Sequence, residues 1–132
     1  MEGPARRTIL NVANASSIAI ASQAVVYTQA IPLPFALYFG IRYKASSVSG
    51  SPDLLIQIEQ SDQAPATEGA ADLNFVIPVS MADIETNLTT ELWKVKTISP
   101  VPLRYIRFKI TGNAGNPADT LFQAFLSIQE DY

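Results

Sequence analysis

The chain has 132 residues, 48% of them apolar and 16% charged, with a formal charge of −3. That is too hydrophobic for a disordered chain, long enough for one compact core, and not the charge of a protein whose main partner is nucleic acid. It contains no cysteine and no histidine, which removes disulfides, thiolate chemistry, a Ser-His-Asp triad, imidazole bases and the ordinary zinc and copper sites.

The opening segment, "MEGPARRTILNVANASS", carries two arginines but no continuous apolar region, so a cleaved signal peptide is not expected. Residues 1–8 are expected to form a flexible arm, with Arg6 and Arg7 reaching a neighbouring chain, and residues 9–132 a single domain. "ILNV", "SSIAIAS" and "AVVYTQ" then read as three short strands or one irregular arm. The longest apolar run lies near "IPLPFALYFGI" and is broken by two prolines and a glycine. A membrane-spanning helix needs about 20 apolar residues, so none is expected.

From here a period of two dominates. Phe35, Leu37, Phe39, Ile41 and Tyr43 alternate with Ala36, Tyr38, Gly40, Arg42 and Lys44, giving a strand one apolar and one wetter face. "DLLIQIEQS" repeats the pattern with Leu54, Ile56 and Ile58, and "DLNFVIPVS" with Leu73, Phe75 and Ile77. "SMADIETNLTT" reads as a loop or a single helical turn. "ELWKVKTIS" sets Trp93 and Val95, taken as inward, against Lys94 and Lys96. "RYIRFKIT" sets Ile106, Phe108 and Ile110 against Tyr105, Arg107 and Lys109. The last strand, "LFQAFLSIQ", is apolar on both sides, with Phe122, Leu126 and Ile128 on one and Leu121 and Phe125 on the other. It should lie centrally, or offer one face to another subunit. About seven to nine antiparallel strands with turn-rich connections predict an all-β, single-domain β-sandwich or jelly roll. Its core should include Phe39, Ile56, Trp93, Ile106 and Phe108.

The cations are unevenly placed. Arg42 with Lys44, Lys94 with Lys96, and Arg107 with Lys109 are spaced two apart, each pair on the wet face of its strand. If those strands are neighbours, six of the nine cations form one basic stripe able to dock an acidic surface. The plainer reading is that outward cations keep a sheet soluble and its edges unpaired. "TGNAGNPADT" lacks the Gly-Lys-Ser/Thr ending of a phosphate loop and reads as a turn. Asp53, Asp62, Glu68, Asp72 and Asp119 fall in loops without the dense alternation of a calcium site. Asp83 and Glu85 are two apart, but nothing nearby would separate their pKa values as a glycosidase needs. No catalytic, metal or cofactor-binding residue is expected.

"LLIQIEQSDQ", followed by a loop, a strand, "SPVPLRYIRFKITGNAG" and a terminal strand, resembles small β-sandwich proteins of tailed-bacteriophage virions. Among them are capsid cement or decoration proteins, including the Bordetella-phage cement type. The resemblance covers roughly 35–128. It implies a non-catalytic protein of the virion exterior, made in the host bacterial cytoplasm. Such a protein binds the outside of the shell and bridges major capsid proteins as a homodimer or trimer. It needs no cofactor and contacts neither nucleic acid nor membrane directly. "RYIRFKITGN" also resembles a strand of discoidin-like carbohydrate-binding domains, although those are often disulfide-bonded. The alternative is therefore a sugar-recognising module of a phage tail or fibre. That role needs Tyr or Trp at loop tips, whereas Tyr27, Tyr38, Tyr43 and Tyr105 fall within strands.

Overall fold

The computed structural model describes residues 6–11, 17–32, 36–78, 83–98 and 103–130, with the side chains of 6–11, 36–39, 98 and 128–130 outside the description. These residues form ten strands: β1 (Arg6–Asn11), β2 (Ile18–Ile20), β3 (Val25–Tyr27), β4 (Ile31–Pro32), β5 (Ala36–Ser46), β6 (Leu54–Ser61), β7 (Glu85–Leu88), β8 (Lys94–Ile98), β9 (Tyr105–Gly112) and β10 (Thr120–Glu130). Every pairing is antiparallel.

One sheet runs β1-β10-β5-β8 and the other β3-β9-β6-β7. β2 continues β1 along the same edge of β10, and β4 continues β3 along β9. Counting each such couple as one interrupted strand reduces ten to eight, with spatial orders 1-8-3-6 and 2-7-4-5. That is the jelly roll, and the protein is an all-β sandwich. The eight strands so counted agree with the expected seven to nine.

The alternating residues meet between the sheets. Ile41 and Tyr43 of β5, Leu54, Ile56 and Ile58 of β6, Ile106, Phe108 and Ile110 of β9, and Phe122, Ala124 and Leu126 of β10 are all buried there. Each large side chain removed from water contributes about 1.5–3 kcal/mol. Ile56, Ile106 and Phe108 are thus core residues as expected.

One end of the sandwich is knitted by Asn116, which is buried. Its side-chain oxygen accepts from the Asp53 backbone N–H (3.0 Å) and the Thr120 hydroxyl (2.9 Å), and its amide donates to the Ile20 carbonyl (2.9 Å). At the same end the chain crosses between sheets after β2, where Gln23 takes a positive φ of 61°. Gly112 packs so closely here that a Cβ would collide with the Ala21 carbonyl oxygen.

Several expectations need correction. Arg6, Arg7 and Thr8 are not an unpaired arm: they pair with Glu130, Gln129 and Ile128 in β1, because β10 offers them a free edge. Residues 1–5, Phe35 and the side chains of Arg6, Arg7, Leu37, Phe39 and Ile128 lie outside the description. Within "DLNFVIPVS", residues 72–78 form a loop with a single bridge between Val76 and Gln60 rather than a strand, and Leu73 is fully exposed. Conversely "ETNL" within "SMADIETNLTT" is strand β7. Trp93 is not core but 43% exposed.

Candidate functional site

Antiparallel partners point to the same side of a sheet. With Ile41, Tyr43, Ala124 and Leu126 turned inward, the outer face of the β1-β10-β5-β8 sheet presents the rows Ser127–Gly40–Thr97, Phe125–Arg42–Val95 and Gln123–Lys44. A further row, Leu121 with Ser46, follows. Trp93, one residue before β8, falls in step with Val95 on this face.

The centre of the face is a cation–aromatic cluster. The Arg42 guanidinium lies 4.7 Å from the Trp93 ring centroid and 5.0 Å from that of Phe125. The Lys44 ammonium lies 5.7 Å from Trp93, and the two rings are 6.0 Å apart at 39°. Each such contact is worth about 0.5–1 kcal/mol at an exposed site, so together they orient the side chains more than they stabilise the fold. Towards one end, the missing side chain of Gly40 leaves a depression of about 200 Å³, lined by Gly40, Ile41, Arg42, Val95, Phe125 and Ser127. Towards the other end stands exposed Leu121. Apolar surface with Trp and Arg at its centre is the composition of a contact patch.

The six paired cations do not form one stripe. Arg42 and Lys44 share the outer face just described. Lys94 and Lys96 pair with Tyr43 and Ile41 and so point inward, to the open side of the sandwich. There Lys94 Nζ meets Glu85 Oε1 at 2.6 Å, and Lys96 Nζ donates to the carbonyls of Asp83 and Ile84, both at 3.3 Å. β8 therefore carries the reverse of the expected facing, and Trp93 and Val95 turn outward because their lysine neighbours have partners inside. Tyr43 donates to the same Glu85 carboxylate at 2.7 Å. Burial, reinforced by Glu85, pushes the Tyr43 phenol well above its ordinary value. Burial alone would raise Glu85, but hydrogen bonds from Lys94 and Tyr43 hold it below the usual carboxylate range.

Arg107 and Lys109 lie on the other sheet. Alternation places Arg107 on the outer side of β9, yet it is 0% exposed, because the loop of residues 62–78 folds over it. Its Nε donates to Glu59 at 2.8 Å and its Nη1 to the Ala70 carbonyl at 2.7 Å. Tyr27 and Phe75 sandwich the guanidinium, each with its ring centroid 4.3 Å away. Arg107 is thus a packing residue and not a solvated contact. Lys109, between Tyr27 and Gln57 in the pairing, is half-buried on that same side.

Sequence reasoning missed Trp93 and the Gly40 depression as surface features, and left open whether the face carrying Phe125 is outward. The available signal was the two-sided apolarity of β10, which already pointed to an outward apolar row. Among the described residues no three His, Cys, Asp or Glu side chains converge as metal ligands. The Glu59 and Glu85 carboxylates are held by Arg107 and by Lys94 with Tyr43.

No protein-family description matches the chain, and no curated protein matches its sequence. Among solved structures it is similar to that of infectious bursal disease virus Gx strain, with TM-score 0.55 and 12% identity over 98% of this chain and 33% of that one. It is also similar to the VP2 subviral particle of infectious bursal disease virus (TM-score 0.48, 14% identity, 98% and 34% covered). A third is the carbohydrate-binding module CBM36 in complex with calcium and xylotriose (TM-score 0.44, 13% identity, 90% and 97% covered). The first is a likeness of fold, over a chain of which this one spans about a third. The other two are more distant and carry no further weight.

Proposed function

We propose that the protein is a non-catalytic structural subunit of a virion, binding the outer surface of a phage capsid and stabilising contacts between its major capsid proteins. The observation that carries this reading is the outer face of the β1-β10-β5-β8 sheet. There Trp93 and Leu121 (both 43% exposed) stand on the same face as Arg42 and Lys44. Such a face works by surface burial. Trp and Arg are the residues that most often dominate interface energy, and the flanking cations act mainly on association rate. The resemblance of "LLIQIEQSDQ" and "SPVPLRYIRFKITGNAG" to virion sandwiches supports a capsid shell as the partner, and Arg42 with Lys44 would suit an acidic docking surface on it.

Trp93→Ala tests it, because the ring is half in water and its loss should leave the melting temperature close to the parent's. Cosedimentation with undecorated shells of the encoding phage should weaken by about 10–30-fold, the scale of an interface hot spot. Parent-like binding by the variant would remove this face from the contact. The exposure of Trp93 also favours a second reading, sugar recognition, although Arg42 already lies over that ring. Glycan-array binding by the parent, lost in Trp93→Ala, would put the second reading first.

A further inference from the structure

Leu73 is 100% exposed, yet the loop that carries it is firmly anchored. On one side the Asp72 carboxylate accepts from the backbone N–H groups of Ala66 (3.1 Å) and Asn74 (2.9 Å). On the other, Phe75 is buried against the Arg107 guanidinium, and Val76 exchanges two 2.9 Å backbone hydrogen bonds with Gln60. Ala70 is held by Arg107 as well. An apolar side chain standing in water on a fixed frame is preorganised for contact, since little freedom is left to lose on binding.

The opposite side of the sandwich has a matching recess. The depression over Gly40 has about 200 Å³ and walls formed by Val95 and Phe125. An apolar cavity of about 150 Å³ already accepts benzene, so a branched aliphatic side chain fits. Charge agrees with shape. Residues 61–72 contain Asp62, Glu68 and Asp72 and no Lys or Arg, whereas Arg42 lines the depression and Lys44 stands in the next row. Leu73 rides on the loop covering the outer side of the β3-β9-β6-β7 sheet, and the recess is on the outer side of the other sheet. One chain cannot fill its own recess.

We infer that the partner of the Gly40 depression is a second copy of this chain, whose Leu73 inserts there while its acidic loop meets Arg42 and Lys44. The contact uses different patches on the two copies, so it is head-to-tail and propagates into a ring or a row instead of closing as a two-fold dimer. This contact shares Arg42 and Lys44 with the shell-binding reading but centres on the Gly40 depression, whereas that reading uses the Trp93–Leu121 end of the same face.

Sedimentation equilibrium of three proteins tests it. The parent should show a weight-average mass that rises with concentration between the micromolar and millimolar ranges. Leu73→Ser, at a fully exposed position, and Gly40→Leu, where a Cβ finds its nearest neighbour, the Lys96 carbonyl oxygen, at an ordinary 3.9 Å, should each associate at least tenfold more weakly. Val95→Asp, at a 73% exposed wall of the recess, serves if Gly40→Leu does not fold. The decisive sample is the equimolar mixture of the knob variant and the recess variant. Each retains the half the other lacks, so the mixture should form dimers and nothing larger. A parent that stays monomeric throughout, a single variant that associates like the parent, or a mixture that stays monomeric while the parent associates overturns the inference. Shell cosedimentation scored on the same samples separates the two readings: self-association without shell binding keeps this one and removes the other. Loss of shell binding by Leu73→Ser with a monomeric parent would assign the leucine to the shell instead.

Discussion

Arg107 is the residue whose environment matters most to the fold. A guanidinium removed from water is tolerable because Glu59 at Nε, the Ala70 carbonyl at Nη1 and two aromatic rings replace much of the water it loses. Removing it strands the Glu59 carboxylate, which is only 7% exposed. Arg107→Ala should therefore cost about 3–5 kcal/mol in denaturant unfolding, the scale for breaking a buried ion pair. Replacing both partners, as Glu59→Leu with Arg107→Met, should recover most of that loss, because an apolar pair carries no desolvation penalty. Equal destabilisation by the single and double variants would show that the arginine acts through something other than its pairing with Glu59. Sequence alternation assigns Arg107 to the correct side of β9. It has no means of showing that a loop some 30 residues earlier in the chain folds over that side, since period two reports direction and not wetness.

β8 shows how an edge strand is kept from pairing with strangers. Its lysines point inward, and two strands meeting edge to edge would have to bury or displace them. Lys94→Thr with Lys96→Thr keeps strand propensity while removing that obstacle, so the folded variant should scatter more light at high concentration well below its melting temperature. Unchanged scattering would mean the free edge is guarded by something else. The same strand marks the limit of what the pattern can show. In "WKVK" the apolar and cationic residues alternate evenly, and burying the tryptophan is the natural choice until Glu85 is known to wait on the facing strand. β6, β9 and β10 are legible because their inward sets are unbroken: Leu54, Ile56 and Ile58; Ile106, Phe108 and Ile110; Phe122, Ala124 and Leu126. β7 is not, because "ETNL" has one apolar residue, Leu88, and becomes a strand only through pairing with β6. The outer face of the β1-β10-β5-β8 sheet was half legible: alternation puts Arg42 and Lys44 on it, while the rings they cover were taken for core or left open.

At the scale of the whole molecule, three carboxylates among the described residues are held low by the folded state. Asp72 is lowered by the backbone N–H groups of Asn74 and Ala66, and Asp119 by the hydroxyls of Ser47 and Ser49. Glu85 is lowered by Lys94 and Tyr43 against the opposing effect of burial. In acid the unfolded chain therefore binds protons before the folded one does, so stability rises with pH across that range. The contribution is complete above the ordinary carboxylate values of about 4 and drains away as pH falls through them towards the folded-state values. Melting temperature should be flat from neutral pH down to about 5 and then decline. The decline should be shallower in Asp119→Asn, and an identical acid limb in that variant would remove Asp119 from the account. The strand orders carry one last consequence, in the dimension of time. β9 and β10 are the inner strands of their sheets, and they are the last two made. Until they emerge, only the β5–β8 and β6–β7 pairings are available, and isolated two-stranded ribbons are marginal in water. The apolar strands β5 and β6 must therefore wait, at synthesis rates of about 5–20 residues per second, for partners encoded roughly 45–95 residues downstream. A chain stopped before β9 can complete neither sheet.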